Sequence, residues 1–204
     1  MKLYDTPGAP NPRRVRWFMA EKGIGDIEIV TLNILKADHK TPEYLDFAGV
    51  PQVPALELDD GTAITESLAI CRYLESRYPQ PNLFGHSPEE TAVVEMWARR
   101  AELLAATPLM LGVRHTHPAL AVLEDQNPVV AEYNTQAGLR GLAVLDRRLE
   151  GRDWIAADRL TIADIIAFVG LDFGRMIKLQ IPEGLPNLAR WIEAMRARPA
   201  AAGL

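Results

Sequence analysis

Strand-type patterning is confined to the first 78 of the 204 residues of this chain. There, short segments with strand signals alternate with helical segments in the order β-α-β-α-β-β-α, and the last two strands form a hairpin at Asp60-Gly61. From residue 88 onward only helical signals occur. The sequence therefore predicts an α+β N-terminal domain followed by an all-α helical bundle.

A proline-rich segment separates the two patterns. The stretch "PQPNLFGHS", residues 79–87, contains two prolines and a glycine and is followed by Pro88. Prolines and glycines so close together interrupt both helices and strands, and they are typical of a segment that connects two domains. We therefore predict a first domain at 1–78, a linker at 79–87 and a second domain at 88–204.

Several predicted helices have start signals in the sequence. Asn11 is a good N-cap for a helix that ends at a glycine, and Asn127 is a good N-cap for a long helix in the second half. Thr161 and Asp164 have the spacing of a capping box. The helix that begins after the linker is long, and we expect a bend in it near Pro108.

Composition narrows the classes of function. The net charge of −5 and the pI near 5.4 argue against a nucleic-acid binder. No apolar run of about 18 residues exists to cross a membrane, and the N-terminal "MKLYDT" reads as a strand rather than an export leader. The single cysteine, Cys71, excludes an internal disulfide, and no metal-binding spacing is found. We therefore expect a cytoplasmic protein without a bound metal.

The stretch "QVPALELDDGTAITES", residues 52–67, contains two features that together indicate a ligand. Pro54 has no N–H for a strand ladder, so it lies at the start or edge of a strand. With a cis Val53-Pro54 bond the main chain of Val53 would be free to pair with an extended peptide, whereas a trans bond would merely begin an edge strand.

The second feature is the pair Glu66-Ser67 at a helix start. Free N–H groups and the helix dipole there favour a carboxylate, Ser67 adds a hydroxyl, and Glu66 suits an ammonium group. Ordinary helix capping is the alternative interpretation. A peptide-like ligand with a free amino-acid end would use both this pair and Val53.

With these residues the chain resembles the glutathione transferase superfamily over nearly its whole length. "QVPALELDDGTAITES" is similar to the family's glutathione site, and "HKTPEYLDFAGVPQVPAL" resembles the middle segment of its N-terminal domain. "LRGLAVLDRRLEGRDWIAADRLTIADI" and "LPNLARWIEAMRARP" are similar to its helical C-terminal domain. The resemblance implies a thioredoxin-like N-terminal domain with a cis-proline. It also implies a homodimer, with Glu95 and Arg99 as candidate interface residues.

The resemblance implies a role for each residue of the site. Val53, before Pro54, pairs with the cysteinyl backbone of glutathione, and Glu66 and Ser67 hold the γ-glutamyl end. Gln52 and either His39 or Lys40 are expected near the glycyl carboxylate. The glutathione contacts that the resemblance implies are therefore His39, Lys40, Gln52, Val53, Pro54, Glu66 and Ser67.

Activation of the glutathione thiol is expected in the loop "DTPGAPNPRRVR" before the first helix. The family usually has a tyrosine, serine or cysteine there, but the usual serine or cysteine position is Ala9, which offers neither a donor nor a nucleophile. "APN" resembles nu-class members and fungal relatives, which have an asparagine at the second position. The candidates for stabilising the thiolate are therefore Asn11, Thr6 and main-chain N–H groups, with the N-cap role of Asn11 as the alternative.

Three functions follow from the resemblance. The first is transfer of glutathione to a hydrophobic electrophile, bound by apolar side chains. The second is glutathione-dependent reduction of a disulfide or peroxide, which Ala9 and Asn11 suggest. The third is a glutathione-binding or ligand-binding protein without catalysis. The candidate apolar side chains are Trp97, Leu104, Met110, Tyr133, Phe168 and Phe173.

Overall fold

A computed structural model describes residues 1–202, which divide into two compact units with the boundary between Pro81 and Asn82. This boundary falls within the segment predicted as a linker. The first unit has the predicted order βαβαββα. Its elements are β1 (Lys2–Asp5), α1 (Pro10–Lys22), β2 (Glu28–Thr31), α2 (Pro42–Ala48), β3 (Ala55–Glu57), β4 (Ala63–Thr65) and α3 (Ser67–Arg77).

The strands of the first unit form one sheet in the order β2-β1-β3-β4. β1 and β2 are parallel, whereas β3 is antiparallel to both β1 and β4. A helix crossover joins the parallel pair and a tight turn joins the hairpin, as strand direction requires. This mixed sheet with helices confirms the thioredoxin-like fold expected for the N-terminal domain.

The start of α1 differs from the prediction. The helix begins at Pro10, its N-cap is Ala9, and Asn11 is therefore the second helical residue and not the cap. The physical reason is that proline is well suited to the first helical position, where its missing N–H is not needed. The expected N-cap role of Asn11 is thus wrong, and its side chain is not used to close the helix.

Two layers of side chains hold the first unit together. Between the sheet and the pair α1 and α3, the side chains are fully buried and apolar. On the other face, the rings of Tyr4, Tyr44 and Phe47 form an aromatic cluster with centroids 5.0–6.3 Å apart. The first layer includes Leu3, Val15, Phe18, Leu56, Ile70 and Leu74.

A buried lysine joins the end of α1 to the segment after α3. Nζ of Lys22 lies 2.8 Å from Oε2 of Glu75 and donates to the carbonyls of Tyr78, at 2.7 Å, and Pro81, at 2.6 Å. Its side chain is fully buried. Because the ammonium is paired and hydrogen-bonded, its burial is tolerated, and it closes the first unit at its C-terminal end.

The second unit is helical, and no strand follows Thr65 among the described residues. No helix in residues 1–202 combines the length and apolarity that a membrane span requires. The unit confirms the all-α domain that the sequence predicts. Its helices are α4 (Pro88–Arg100), α5 (Thr107–Arg114), α6 (Pro128–Arg148), α7 (Ile162–Phe173), α8 (Pro186–Arg196) and α9 (Pro199–Ala202).

A π-helical turn, Ala101–Ala106, joins α4 to α5 where the sequence predicts only a bend. The N–H of Thr107 bonds to the carbonyl of Glu102, five residues back. Pro108 has no N–H, so it cannot make the α-helical hydrogen bond to the carbonyl of Leu104, four residues earlier. The wider turn is therefore a local response to a proline inside a long helix.

The predicted caps of the second unit are present. The side chain of Asn127 accepts from the N–H groups of Val129 and Val130 at the start of α6. Thr161 and Asp164 form the capping box of α7. The buried carboxylate of Asp164 also accepts from the N–H of Ile155 at 2.9 Å and from Nε1 of Trp191 at 3.0 Å.

Candidate functional site

The strand register brings the predicted site segments to one end of the N-terminal sheet. Ala55 is paired with Tyr4 and with Thr65, so β3 begins where β1 and β4 end. Asp5 is paired with Thr31 in parallel register, so β2 ends there too. The segments that meet at this end are residues 6–9, 32–40, 52–54 and 66–67.

Val53 lies at this end of the sheet, and its main chain is not paired with a neighbouring strand. The Val53–Pro54 bond is cis, and β3 begins only at Ala55. Within the described residues, the N–H and C=O of Val53 form no hydrogen bond to another main-chain group. Its side chain packs against the buried cluster formed by Tyr44, Ala48 and Ala55. The arrangement can accept an extended peptide through main-chain hydrogen bonds.

Glu66 makes the turn from β4 into α3 in an unusual conformation. Its φ of 67° and ψ of 117° lie in a region that non-glycine residues rarely adopt. Its side chain does not cap the helix, so the capping interpretation is wrong for this residue. Strain of about 1–3 kcal/mol is typical of such residues, and they are concentrated at binding sites.

The first turn of α3 offers main-chain donors to a ligand. The first N–H to bond back within the helix is that of Ile70, which donates to the carbonyl of Glu66 at 3.0 Å. Among the described residues, no main-chain partner is found for the N–H groups of Ser67, Leu68 and Ala69. The positive end of the helix dipole is therefore available for a carboxylate.

A buried arginine, which the sequence analysis did not single out, adds to the positive charge here. Nη1 of Arg14 donates to Oγ of Ser67 at 3.5 Å, and both residues are buried. Because this oxygen accepts from a cation, the hydroxyl hydrogen of Ser67 is directed elsewhere, toward a further acceptor. The contact also joins α1 to the first turn of α3.

The start of α1 supplies a main-chain donor to the same end of the sheet. Pro10 and Pro12 have no N–H, and the N–H of Arg13 bonds to the carbonyl of Ala9 at 3.2 Å. The N–H of Asn11 is therefore the donor that this turn leaves for a ligand. Oδ1 of Asn11 is buried and without a hydrogen-bond partner in the described part of the chain.

Thr6 and Ala9 lie in the same loop, but their side chains have no unengaged donor for a thiolate. The hydroxyl of Thr6 is buried and donates to the carbonyl of Leu32 at 2.9 Å, so its hydrogen is already engaged. Ala9 is the N-cap and has no polar side chain. Of the three residues considered for thiol activation, Asn11 is the one with donors that are not engaged by the fold.

The residues expected near a glycyl carboxylate differ in exposure. His39 is buried, whereas Lys40 and Gln52 are exposed. Nδ1 of His39 has no hydrogen-bond partner within residues 1–202. Burial, and then the neighbouring Lys40, lower the pKa of His39 below its usual value, against the opposing charge of Asp38.

Among the described residues, no group of three or more histidine, cysteine, aspartate or glutamate side chains is arranged to hold a metal ion. The groups present at this end of the sheet are main-chain hydrogen-bonding groups, the starts of two helices and a few charged side chains.

Comparison with known proteins identifies the family. Residues 9–77 match the family model "Glutathione S-transferase, N-terminal domain", and residues 105–199 match "Glutathione S-transferase, C-terminal domain". The chain is 38% identical over 204 residues to glutathione S-transferase 2 of Saccharomyces cerevisiae, covering 98% of this chain and 87% of that protein. The chain belongs to the glutathione S-transferase superfamily.

Solved structures of glutathione S-transferases agree over nearly the full length. Gtt2 from Saccharomyces cerevisiae has a TM-score of 0.92 at 37% identity, with 99% of each chain covered. A Gtt2-class glutathione S-transferase of Vibrio parahaemolyticus has a TM-score of 0.86 at 35% identity, covering 100% of this chain and 96% of that one. The two-domain architecture is therefore that of the family.

The apolar residues considered for a second substrate have different environments in this member of the superfamily. Phe168 is buried against Trp191, with ring centroids 6.0 Å apart, and belongs to the core of the second unit. Trp97 is also buried, between the guanidinium groups of Arg100 and Arg148. Leu104 and Tyr133 are exposed.

Proposed function

We propose that this protein is a glutathione transferase that transfers the glutathione thiolate to a hydrophobic electrophile. One observation carries the proposal: the unpaired main chain of Val53 lies beside the Glu66-Ser67 start of α3, at one end of one sheet. A tripeptide with a free amino-acid end has complementary groups at this spacing. The membership of the family supports the same activity.

Each part of glutathione has a matching group in this proposal. Its cysteinyl N–H and C=O pair with the main chain of Val53. Its γ-glutamyl carboxylate lies at the start of α3 near Ser67, and its ammonium group is bound by Glu66. Its glycyl carboxylate lies near Gln52 and a cation, either His39 or Lys40.

Thiolate formation is the main task left to the protein. A thiol with a pKa near about 8.5 is mostly protonated at neutral pH, and a shift of two units corresponds to about 2.7 kcal/mol. The N–H and carboxamide of Asn11, at the start of α1, would supply hydrogen bonds and the helix dipole. Sulfur then forms a bond to carbon, and the leaving group departs with its electron pair.

A second candidate function is reduction of mixed disulfides. It is favoured by Ala9, which is neither donor nor nucleophile, and by Cys71, which is fully buried. Both thiols would then come from glutathione. One thiolate attacks the glutathionyl sulfur of a mixed disulfide, oxidised glutathione forms, and the other sulfur leaves as a thiolate.

We further propose that the protein acts in the cytoplasm as a homodimer. The single buried cysteine suits a reducing compartment. Glu95 and Arg99 on α4 are the proposed interface residues, and the exposed apolar side chains of Val93 and Met96 lie on the same helix.

The test compares two serine variants in one helix. Ser67→Ala removes the hydroxyl proposed to bind the ligand carboxylate, whereas Ser76→Ala removes an exposed hydroxyl of α3 that donates to the carbonyl of Arg72. By calorimetry we expect wild type and Ser76→Ala to bind glutathione alike and Ser67→Ala to bind about tenfold more weakly. A wild-type protein that fails to bind glutathione would refute the proposal.

Catalysis is then assigned by comparing two substrates. Conjugation to an aryl halide exceeding turnover of a glutathionylated disulfide supports transfer, and the reverse ratio supports reduction. Asn11→Ala should lower the faster activity by about tenfold or more. Binding without turnover of either substrate would leave a ligand-binding protein and exclude both enzymatic proposals.

A further inference from the structure

Tyr44 donates a hydrogen bond to the peptide unit that carries the N–H of Val53, a proposed ligand-binding group. It lies on α2, is buried, and donates its hydroxyl to the carbonyl of Gln52 at 2.5 Å. That carbonyl belongs to the same peptide unit as the N–H of Val53. The Gln52–Val53 peptide is trans, so its C=O and N–H point in opposite directions within one plane.

We propose that Tyr44 is a positioning residue for glutathione, which orients the Val53 N–H by holding the other side of the same peptide unit; this inference rests on the proposed function. With the carbonyl held toward α2, the N–H points away from α2. A donor on the carbonyl also polarises the peptide, which makes its N–H a better donor.

Tyr44 is itself held firmly. Its N–H bonds to Oγ1 of Thr41, the N-cap of α2, at 3.3 Å, and its ring meets Tyr4 edge-on at 5.8 Å and Phe47 at 6.3 Å. Burial raises the pKa of the Tyr44 hydroxyl to about 12, so it remains a donor at any working pH.

The Gln52–Val53 segment is restrained from other sides as well. The N–H of Gln52 bonds to the carbonyl of Val50 at 2.9 Å, and the side chain of Val53 packs against the buried cluster of Tyr44, Ala48 and Ala55. Gln52 itself is exposed, and Val53 is partly exposed. Among the side-chain hydrogen bonds of the described residues, that of the Tyr44 hydroxyl holds the carbonyl side of the Gln52–Val53 peptide, so its removal loosens the orientation of this peptide plane.

The aromatic cluster provides a matched control. Tyr44→Phe and Tyr4→Phe each delete one hydroxyl from the same cluster, but the hydroxyl of Tyr4 donates to Oε2 of Glu57 at 2.8 Å and not to the loop. Phe47→Leu is a second control, because it loosens the packing of the cluster without removing a hydrogen bond.

The experiment measures glutathione affinity, KM and kcat in the full-length protein. For Tyr44→Phe we expect the Kd and KM for glutathione to rise about five- to tenfold, with kcat and the pH profile of kcat little changed. Tyr4→Phe should retain the wild-type KM. Phe47→Leu should lower the melting temperature more than Tyr44→Phe does while changing KM less.

The chemical shift of the Val53 amide proton, measured by NMR, would not change if the role of Tyr44 were only to stabilise the fold. In wild type and Tyr4→Phe, glutathione should shift the Val53 amide proton downfield, and in Tyr44→Phe this shift should shrink by about half or more. Equal KM values and equal Val53 shifts in the two tyrosine variants would overturn the role of Tyr44 and leave the proposed function standing. A wild-type protein that does not bind glutathione overturns both.

Discussion

At the scale of single residues, His39 is a buried histidine whose charge a ligand would control. Burial and Lys40 lower its pKa, so it is neutral in the free protein at pH 7. A carboxylate brought against it favours the imidazolium and raises the pKa again. We therefore expect binding of a ligand carboxylate at His39, as proposed above, to be accompanied by proton uptake.

The sign of this linkage predicts tighter binding in acid. Between pH 7.5 and pH 5.5 we expect the affinity for S-methylglutathione, whose sulfur does not titrate, to rise about three- to tenfold. The carboxylates of the ligand stay ionised over this range. Calorimetry of wild type, His39→Gln and Lys40→Gln checks the prediction.

The two variants separate the two candidate cations. His39→Gln should abolish the pH dependence, whereas Lys40→Gln should retain it, because lysine stays charged throughout. Without ligand the sign reverses: a histidine with a lowered pKa costs stability as pH falls below about 6.5. An affinity that is flat with pH in wild type contradicts a role for His39.

At the scale of elements, the π-helical turn Ala101–Ala106 and α6 are in main-chain contact. A Cβ built on Gly141 would lie 1.9 Å from the carbonyl oxygen of Leu104 and 2.9 Å from the nitrogen of Ala105. That carbonyl is the one to which Pro108, four residues later, has no N–H to donate. Glycine is thus required where the turn approaches α6, and the helices pack backbone to backbone.

Gly141→Ala is therefore expected to destabilise the protein despite the better helix propensity of alanine. The overlap is with main-chain atoms, which no rotamer change relieves, so we expect a loss of at least about 2 kcal/mol in the free energy of unfolding. Gly25→Ala is the control, because its added methyl group meets nothing within 4 Å. Urea titration of both variants measures the difference. Equal midpoints would show that the turn can move away.

Local chemistry was enough to predict most elements. The caps Asn127 and Thr161 act at the start of helices through side chains a few residues away, so sequence shows them directly. The start of α1 was missed because two prolines, Pro10 and Pro12, suit a first turn equally well. The π-helical turn was missed because a proline predicts only disruption, and the form of the disruption depends on packing against α6.

The residues of the candidate site likewise fall into two groups, those that local sequence indicates and those that depend on packing. Val53 and the Glu66-Ser67 pair were identified because both features are contiguous in sequence. Arg14 and Tyr44 were not, since their contacts span 53 and 8 residues respectively. A buried arginine between the partly exposed Arg13 and Arg16, or one tyrosine hydroxyl that donates to a carbonyl, has no signature in a single sequence. The strand register is what places these residues at one end of the sheet.

At the scale of the whole molecule, the reactivity of one thiol is expected to depend on both folding and ligand binding. Cys71 is the only cysteine, lies on α3 in the first unit, and is fully buried. Burial raises the pKa of its thiol, with the nearby Glu75 adding to the shift and Arg14 opposing it. A neutral, inaccessible thiol does not react, so modification requires the first unit to open.

We therefore expect thiol-reactive reagents to label native protein only through unfolding of the first unit. S-methylglutathione at about 100 times its Kd stabilises the bound form by about 2.7 kcal/mol, which should slow labelling about a hundredfold. In Ser76→Ala this protection should persist, and in Ser67→Ala the same ligand concentration should protect about tenfold less. Labelling is followed by absorbance of the released thiol, and unfolding by circular dichroism in urea. Rapid labelling of the native protein, indifferent to ligand, would show that α3 opens locally and that ligand binding is not coupled to the stability of this unit.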